Sequence, residues 1–438
     1  MDFDTLIILV GGLTITILAM LPFFLRQRFR ERRARRLAEE AKRYGLDVAA
    51  TLHPIVHPGV CISAGACLSI CPEGDVLGLV QGMAVPIAPG RCIGHGLCER
   101  ACPVEAIQLV FGTATRGVEL PRVKGNFETN VAGLYVIGEL GGMGLIRNAF
   151  EQGRQCVEGI VSEGGRSNNG MDDVIVVGAG PAGLSASLNC LHHGLKCRTI
   201  EREDIGGTVR SYPRKKLVLT QPVTVPGYGK LKVQEIRKEA LMELWGEIIE
   251  ATGLVVETEQ TVTAIERSNA GFTVRTSKGE YQAGRVVLAI GRRGVPRKLG
   301  VPGEDQSNVA YSLREPDAYA GDRVLVVGGG DSAVEAALSL AEISGTTVTL
   351  SYRRERFTRI KPKNHERIQA AEQDGSVRLL WSTNVTEIAA DQVTYRDAEG
   401  RDHALPNDQV FVFAGGELPT KFLKSAGIMI DTKFGEAL

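Results

Sequence analysis

Two segments of this chain, 150 residues apart, repeat one local design that few folds admit. Asp173 to Gly183 reads DVIVVGAGPAG, an apolar strand running into Gly178, Gly180 and Gly183, with Pro181 and Ala182 opening a helical pattern. The next strand, KCRTIE, ends on Glu201. Glycines at these spacings let the backbone turn sharply and approach a pyrophosphate at a helix N-terminus, while an acid about 20 residues on bonds a ribose. A GxGxxG alone says little, but strand, glycines, helix and acid together specify a dinucleotide site. The second copy, RVLVVGGGDSAVEAALSLAE, supplies Gly328, Gly330, Asp331, Ser332 and Ala333. Its following strand ends in Arg353 and Arg354, whose guanidinium groups suit a 2′-phosphate and so NADPH over NADH; the alternative is a solvated charged turn.

At 438 residues the chain has room for two to three domains, which excludes a single small binding module. Lys+Arg and Asp+Glu are both 51 and hydrophobic residues make 43%, which argues against disorder and against a nucleic-acid partner. The charge is uneven, with nine basic and five acidic residues among the first 43. Thr5 to Leu25 is 21 residues without a charge, long enough to cross a hydrocarbon core of ~30 Å. Arg26, Arg28, Arg30, Arg32, Arg33, Arg35 and Arg36 follow it. The pattern predicts one uncleaved transmembrane helix, then a basic juxtamembrane helix able to meet anionic lipid, with the catalytic domains on the cytoplasmic face of the membrane.

Six of the nine cysteines fall between Cys61 and Cys102, too clustered for a disulfide scaffold. CISAGACLSICP, from Cys61, and CIGHGLCERACP, from Cys92, are an internal repeat offset by 31 residues. Each resembles the bacterial ferredoxin run C-x2-C-x2-C-x3-C-P with its second Cys missing, replaced by Ala64 and His95. The resemblance implies a dicluster module with Cys61, Cys67 and Cys102 around one cluster and Cys92, Cys98 and Cys71 around the other. His95 is either a fourth ligand, a solvent-exposed residue or a hydrogen-bond partner of a cluster sulfur. At the first site Ala64 ligates nothing, leaving a 3Fe-4S cluster, a 4Fe-4S cluster capped by some other residue or by water, or none. A zinc site or reduced structural thiols are the alternatives to iron–sulfur.

The paired nucleotide folds resemble the thioredoxin-reductase-like flavoproteins, in which the first fold holds FAD and the second NAD(P)H. Gly206, Gly207 and Thr208 match that family's GGT turn, and AIGRRG around Gly291 resembles its crossover strand. One departure is large. The family's closing segment, whose acid bonds the FAD ribityl chain, resembles Glu128 to Gln155 here, ahead of the first fingerprint, with Gly138 and Glu139 in the acid's place. The flavoprotein therefore reads as circularly permuted, joining the cysteine repeat directly to a flavin-contacting segment.

Neither family dithiol is present: NVAYSLREPDAYAGDR lacks CxxC and IGGTVRSYPRKK lacks CxxxxC. Cys156, Cys190 and Cys197 read as small hydrophobes, His192 and His193 as surface residues rather than ligands, and His53 and His57 as part of a turn, the alternative being a cap on a cluster. No hydrolase motif occurs. The expected architecture is α/β: two Rossmann-like FAD- and NAD(P)-binding domains, with an N-terminal transmembrane helix and a small ferredoxin-like α+β module. The boundaries are 1–50 for the anchor, 51–115 for the iron–sulfur module, 116–305 plus 406–438 for the FAD domain and 306–405 for the NAD(P)H domain. The expected function is a single-pass, membrane-anchored oxidoreductase of the cytoplasmic membrane passing electrons between NADPH, FAD and 4Fe-4S or 3Fe-4S clusters, in either direction. Its acceptor or donor would be a redox partner protein or a quinone, and a homodimer fits. Two other readings are direct flavin reduction of a small substrate with structural clusters, and a redox sensor or electron-transfer subunit with little turnover.

Overall fold

The structure, a computed structural model, describes residues 3–436 except 44, 45, 50, 51, 93, 115, 116, 143, 168, 169, 213, 215, 220, 221, 232–234, 269, 293, 294, 358, 359 and 418. Its contacts divide it into two units, Met1–Val118 with Phe434–Leu438, and Glu119–Lys433.

The first unit begins with α1, Phe3–Arg43, a single helix of 41 residues. Among the described residues no helix is long and apolar enough to cross a membrane, which overturns the single-pass anchor and with it the membrane localisation. The apolar run is diluted by Gly11, Gly12, Thr14, Thr16 and Pro22, and the side chains of residues 5–10, 19 and 23 lie outside the described ones. The basic half packs along one face and leaves its arginines exposed. Ala34 and Ala41 are buried, and a Cβ on Gly78 would lie 2.8 Å from that of Ala34, so α1 lies tightly on the hairpin Leu77–Val80/Met83–Pro86. Arg33 pairs with Asp75 at 3.2 Å, and the Gln81 N–H donates to Glu31 at 3.4 Å. Gln81 and Gly82 both have positive φ, as a two-residue turn of this hand requires.

Strands Leu52–Val56 and Ile107–Phe111 pair antiparallel and bracket the cysteine repeat, and Phe111 bridges onward to Glu436. Each cysteine run turns into a short helix, α2 (Ala66–Ser69) or α3 (Leu97–Arg100). The backbones repeat as the sequences do: φ is positive at Ser63 and Gly65, and again 31 residues on at Gly94 and Gly96.

In the second unit, a sheet of seven strands runs Val256–Glu257, Cys197–Ile200, Asp172–Val177, Gly279–Leu288, Gly271–Thr276, Val262–Ser268, with Leu134–Val136 also paired to Gly279–Leu288. Asp172–Val177 is buried throughout because layers cover both faces, Ile175 and Val177 packing to one side, Val174 and Val176 to the other. Leu134–Val136 lies parallel to Val286–Leu288, so the segment ahead of the first fingerprint supplies a strand of the same sheet. It also supplies α4 (Ile146–Ser162), pressed on α5 (Pro181–His192) where Ser185 donates to the Phe150 carbonyl at 2.6 Å. The helix α6 (Lys238–Thr252) follows, its Trp245 buried against Phe150.

The second nucleotide fold is a five-stranded parallel sheet ordered Val309–Ala310, Gln409–Val412, Arg323–Val327, Thr347–Tyr352, Val377–Trp381, with α7 (Asp331–Ala341) and α8 (Pro362–Gln373) packed on it. Gln409–Val412 sits inside this sheet, so the second fold runs past the expected boundary at 405. The chain returns afterwards: α9 (Thr420–Ser425) carries Leu423, which with Ile428 is buried beside Leu134 and Val286 of the first fold.

Candidate functional site

Both fingerprints form a strand, a glycine turn and a helix. Gly178 has φ 103°, and a Cβ there would lie 2.6 Å from the Ala289 carbonyl oxygen, so both the backbone conformation and the space call for glycine. A Cβ on Gly183 would collide with the Gly178 carbonyl, whereas one on Gly180 would meet nothing within 4 Å. Gly180, the N-cap of α5, thus leaves an open cradle at a helix N-terminus whose first N–H groups face outward, which fits a pyrophosphate. Pro181 opens the helix and Ala182 is buried against Gly138.

Glu201 is 8% exposed, and its carboxylate accepts from the N–H of Ala179 at 2.7 Å and of Glu203 at 3.0 Å. Two N–H donors leave further lone pairs on a carboxylate, so the group still has capacity for ribose hydroxyls. The GGT turn closes on the same loop. The Gly206 N–H donates to the Ala179 carbonyl at 2.9 Å, and a Cβ on Gly207 would lie 3.3 Å from Gly180 Cα. Thr208 continues this turn. Gly138 donates to Gln152 of α4 at 2.7 Å, which fixes the turn bearing Glu139. Arg292, next to Gly291, donates to the Glu119 carbonyl at 3.4 Å. Burial lowers its pKa, and the carboxylates of Glu139 and Glu119 oppose that shift. The structure thus gathers Gly138, Glu139, Gly178–Gly183, Glu201 and Gly206–Thr208 around one loop system, with the Gly291–Arg292 turn electrostatically beside Glu139.

In the second fold Gly330 is likewise the open N-cap, of α7, and Ala333 is fully buried beneath the turn begun by Gly328. Asp331 has local partners: its carboxylate accepts from the Lys361 N–H at 2.8 Å and from Asn364 at 2.7 Å, while Ser332 is exposed. At the end of Thr347–Tyr352, Arg353, Arg354, Glu355, Arg356 and Ser382 line an open cavity of about 370 Å³. Among the described residues none of the three guanidinium groups is paired with a carboxylate. The Ser382 N–H donates to the Arg354 carbonyl at 3.1 Å, and Tyr352 stacks on Phe357 at 5.6 Å, bracing the cationic loop. A dianionic phosphate fits this cavity.

In the other unit, Cys61, Cys67 and Cys102 line a narrow cavity of about 20 Å³, together with Ala64. Burial raises the Cys67 thiol to about 11, with Cys61, Cys98 and Cys102 as further charge neighbours. Burial also raises Cys92 to about 11, its neighbours being Cys98, Cys71 and Glu73. Cys98 neighbours both Cys67 and Cys92, so the two runs lie close to one another. The Ala106 N–H donates to the Cys102 sulfur at 3.2 Å and the Gly94 N–H to that of Cys92 at 3.4 Å. Burial lowers the pKa of His95, opposed by Glu73, which favours a neutral imidazole able to accept a metal. Among the described residues no three His, Cys, Asp or Glu side chains converge closely enough to hold a single metal ion, the arrangement zinc needs. The paired cysteine runs, each ending in Cys-Pro, supply the thiolates of an iron–sulfur module.

Comparison with known proteins agrees. Residues 175–437 match the pyridine nucleotide-disulphide oxidoreductases, and residues 53–103 match a 4Fe-4S dicluster domain. The chain belongs to the pyridine nucleotide-disulphide oxidoreductase family. It is 36% identical over 268 residues to a ferredoxin–NADP reductase of Ignicoccus hospitalis, covering 59% of this chain and 82% of that one. It is 28% identical to the bacilliredoxin reductase Bdr of Bacillus subtilis, over 60% of this chain and 83% of that one. Among solved structures, the bacillithiol disulfide reductase Bdr of Staphylococcus aureus aligns with TM-score 0.52 and 28% identity, covering 61% of this chain and 81% of that one.

As a member of this oxidoreductase family with a dicluster domain, the chain is an NAD(P)H-dependent flavoprotein oxidoreductase whose cofactors are FAD, NADP(H) and iron–sulfur clusters. The family's eponymous disulfide chemistry has no dithiol at either usual place. The remaining cysteines are core residues: Cys156 and Cys190 are fully buried, contact with Cys197 and then burial raise the Cys190 thiol, and Cys156 is raised by burial. His192 and His193 are exposed, and His53 is buried in the strand Leu52–Val56. Sequence reading missed Arg356, Ser382, Arg292 and Glu73. Arg356 follows the singled-out arginines within the same RRER string and Arg292 lies inside AIGRRG, so a local charge count would have found both. Ser382 comes from the next strand's end, and only the fold brings it near.

Proposed function

We propose that the chain moves electrons between NADP(H) and a one-electron carrier, with its own cysteine repeat in the route. The observation that carries this reading is the joining, in one chain, of a dithiol-free nucleotide-binding flavoprotein to a double cysteine run. FAD, when bound, supplies the exchange between a two-electron hydride and single electrons. Gly178, Gly180, Pro181, Ala182 and Gly183 would hold its pyrophosphate and Glu201 its ribose, with Gly138, Glu139, Gly206–Thr208 and Gly291 along the rest of the molecule. Gly328, Gly330, Asp331, Ser332 and Ala333 would hold the nicotinamide nucleotide, and Arg353, Arg354 and Arg356 its 2′-phosphate. Cys61, Cys67 and Cys102, and Cys92, Cys98, Cys71 and His95, would hold the clusters.

The likeness to ferredoxin–NADP reductases supports a small iron–sulfur protein as the partner, with a quinone as the other candidate, and the residues suit either direction of flow. A homodimer remains part of this reading. The parallel pairing of Leu134–Val136 with Val286–Leu288 supports the circular permutation. A second reading, direct reduction of a disulfide substrate at the flavin, takes its support from the likeness to Bdr.

An anaerobic NADPH titration, following flavin absorbance and low-temperature EPR on the same samples, separates them. Flavin bleaching followed by proportionate cluster signals is the expected result. Flavin reduction with silent clusters would refute the route and favour the second reading, and stoichiometric reduction without turnover on any acceptor would point to a sensor or subunit.

A further inference from the structure

The two cysteine sites differ in a way that bears on ligand binding. At the second site His95 stands where the run lacks its Cys, half-buried, and shares the neighbour Glu73 with Cys92 and Cys71. At the first site the matching residue is Ala64, exposed on the rim of the cavity that Cys61, Cys67 and Cys102 line. The rest of the lining is apolar or glycine apart from Ser63, whose side chain is exposed and whose Oγ would be 3.9 Å from a Cβ placed on Gly82. Ser63 is thus the sole oxygen-bearing side chain in that lining. Three thiolates can bind three corners of a cubane and leave the fourth to whatever else reaches it.

We propose that the Cys61–Cys67–Cys102 site carries one iron that no cysteine ligates, and that this iron binds water or hydroxide in preference to the exposed Ser63 hydroxyl and exchanges with iron in solution. This rests on the reading of the cysteine repeat as a pair of iron–sulfur sites. The exposed rim at Ala64 admits solvent to the open corner, while the buried Cys67 and the N–H donated by Ala106 to Cys102 hold the other corners. A one-electron oxidant such as ferricyanide then removes the unanchored corner: a four-iron cluster in its 2+ state gives a three-iron cluster in its 1+ state, one ferrous ion, and one electron that reduces ferricyanide to ferrocyanide. Charge and iron balance, and no protein bond breaks.

The test uses the full chain with clusters assembled anaerobically. Wild type, treated with ferricyanide, is expected to release about one iron per chain, trapped by a ferrous chelator, and to gain the EPR signal of an oxidised three-iron centre. Ferrous iron with a thiol reductant should reverse both. Ala64→Cys, on the exposed rim, supplies a fourth thiolate and should lose both the release and the signal, whereas His95→Cys should retain them. Wild type that keeps all its iron and stays EPR-silent after oxidation would overturn the proposal, as would an Ala64→Cys chain that releases iron like wild type. Failure of wild type and both variants to form any iron–sulfur chromophore would instead sink the cluster reading itself.

Discussion

The cationic cavity makes the sharpest demand on the proposed nucleotide preference. Arg353, Arg354 and Arg356 face an open cavity with Glu355 as the only carboxylate in its lining, leaving a net charge of about +2 for a dianionic phosphate. A hydrogen bond to a charged group contributes about 1.5–3 kcal/mol, but ion pairs in water at a surface contribute only about 0–1 kcal/mol. All three guanidinium groups are exposed, so about 1 kcal/mol each is the reasonable scale, or roughly five-fold in Kd. Arg354→Ala should therefore weaken NADP⁺ binding about five-fold, and replacement of all three by Ala about 100-fold, less if the three share one dianion non-additively.

NAD⁺ lacks the phosphate, so its affinity should stay within about two-fold in every variant. Screening gives a second readout. The Debye length falls from about 10 Å at 0.1 M salt to about 3 Å at 1 M, so the wild-type preference should shrink with salt while that of the triple variant stays flat. Titration calorimetry with NADP⁺ and NAD⁺ on the FAD-loaded chain measures all of this. Equal losses for both nucleotides would mean that the substitutions damaged the fold, and an unchanged NADP⁺ affinity in the triple variant would refute the assignment.

Gly180→Ala meets no atom within 4 Å and keeps an ordinary φ, so the FAD-free protein should melt within a degree or two of wild type while FAD occupancy falls. Gly178→Ala, at φ 103° and 2.6 Å from a carbonyl oxygen, should cost about 1–3 kcal/mol in the same melt without FAD; equal melting of the two variants would contradict the close-approach argument. Gly78→Val pushes a side chain into Ala34 of α1 and should destabilise the first unit by about 1–3 kcal/mol, read from the thermal loss of cluster absorbance. The Arg323 hydrogen bonds hold Asp408 down at about 2, below an unfolded value of about 3.9. Its contribution is therefore complete above about pH 4 and is lost as pH falls toward 2, so Asp408→Asn should narrow the gap between urea midpoints measured at pH 5 and pH 3.

The nucleotide folds were legible because their determinants are local. Continuously apolar strands, glycines placed by close contacts, and the residue ending the second strand all lie within about 30 residues of one another. The cysteine repeat was legible for the same reason, and the backbone repeats with it in the positive φ values at Ser63/Gly65 and Gly94/Gly96. What failed was partnership across distance. The apolar and basic composition of Phe3–Arg43 suggested a membrane and its headgroups, but nothing in that segment announces that Ala34 will meet Gly78 or that Arg33 will meet Asp75. Gln409–Val412 was assigned to the wrong sheet by position, because a strand takes its place from the edges it pairs with, not from its order in the chain.

The two nucleotide folds also answer each other in their chemistry. The end of the second strand carries Glu201 in one and Arg353 and Arg354 in the other, and burial differs along with charge. Glu201 is almost enclosed, and a carboxylate so placed must be hydrogen-bonded to remain there; the Ala179 and Glu203 N–H groups meet that need. A fixed acceptor of this kind suits neutral ribose hydroxyls, which lose little on leaving water. The arginines lie in the open, where a strongly hydrated phosphate dianion can pair with them without being fully dehydrated. Swapping the pair would fail in both directions, since arginines beneath the first loop would bury unpaired charge and a glutamate on the second would repel the phosphate. On the proposed assignment, one backbone design would accept two ligands because the residues at a strand end set both the charge and the hydration of the contact.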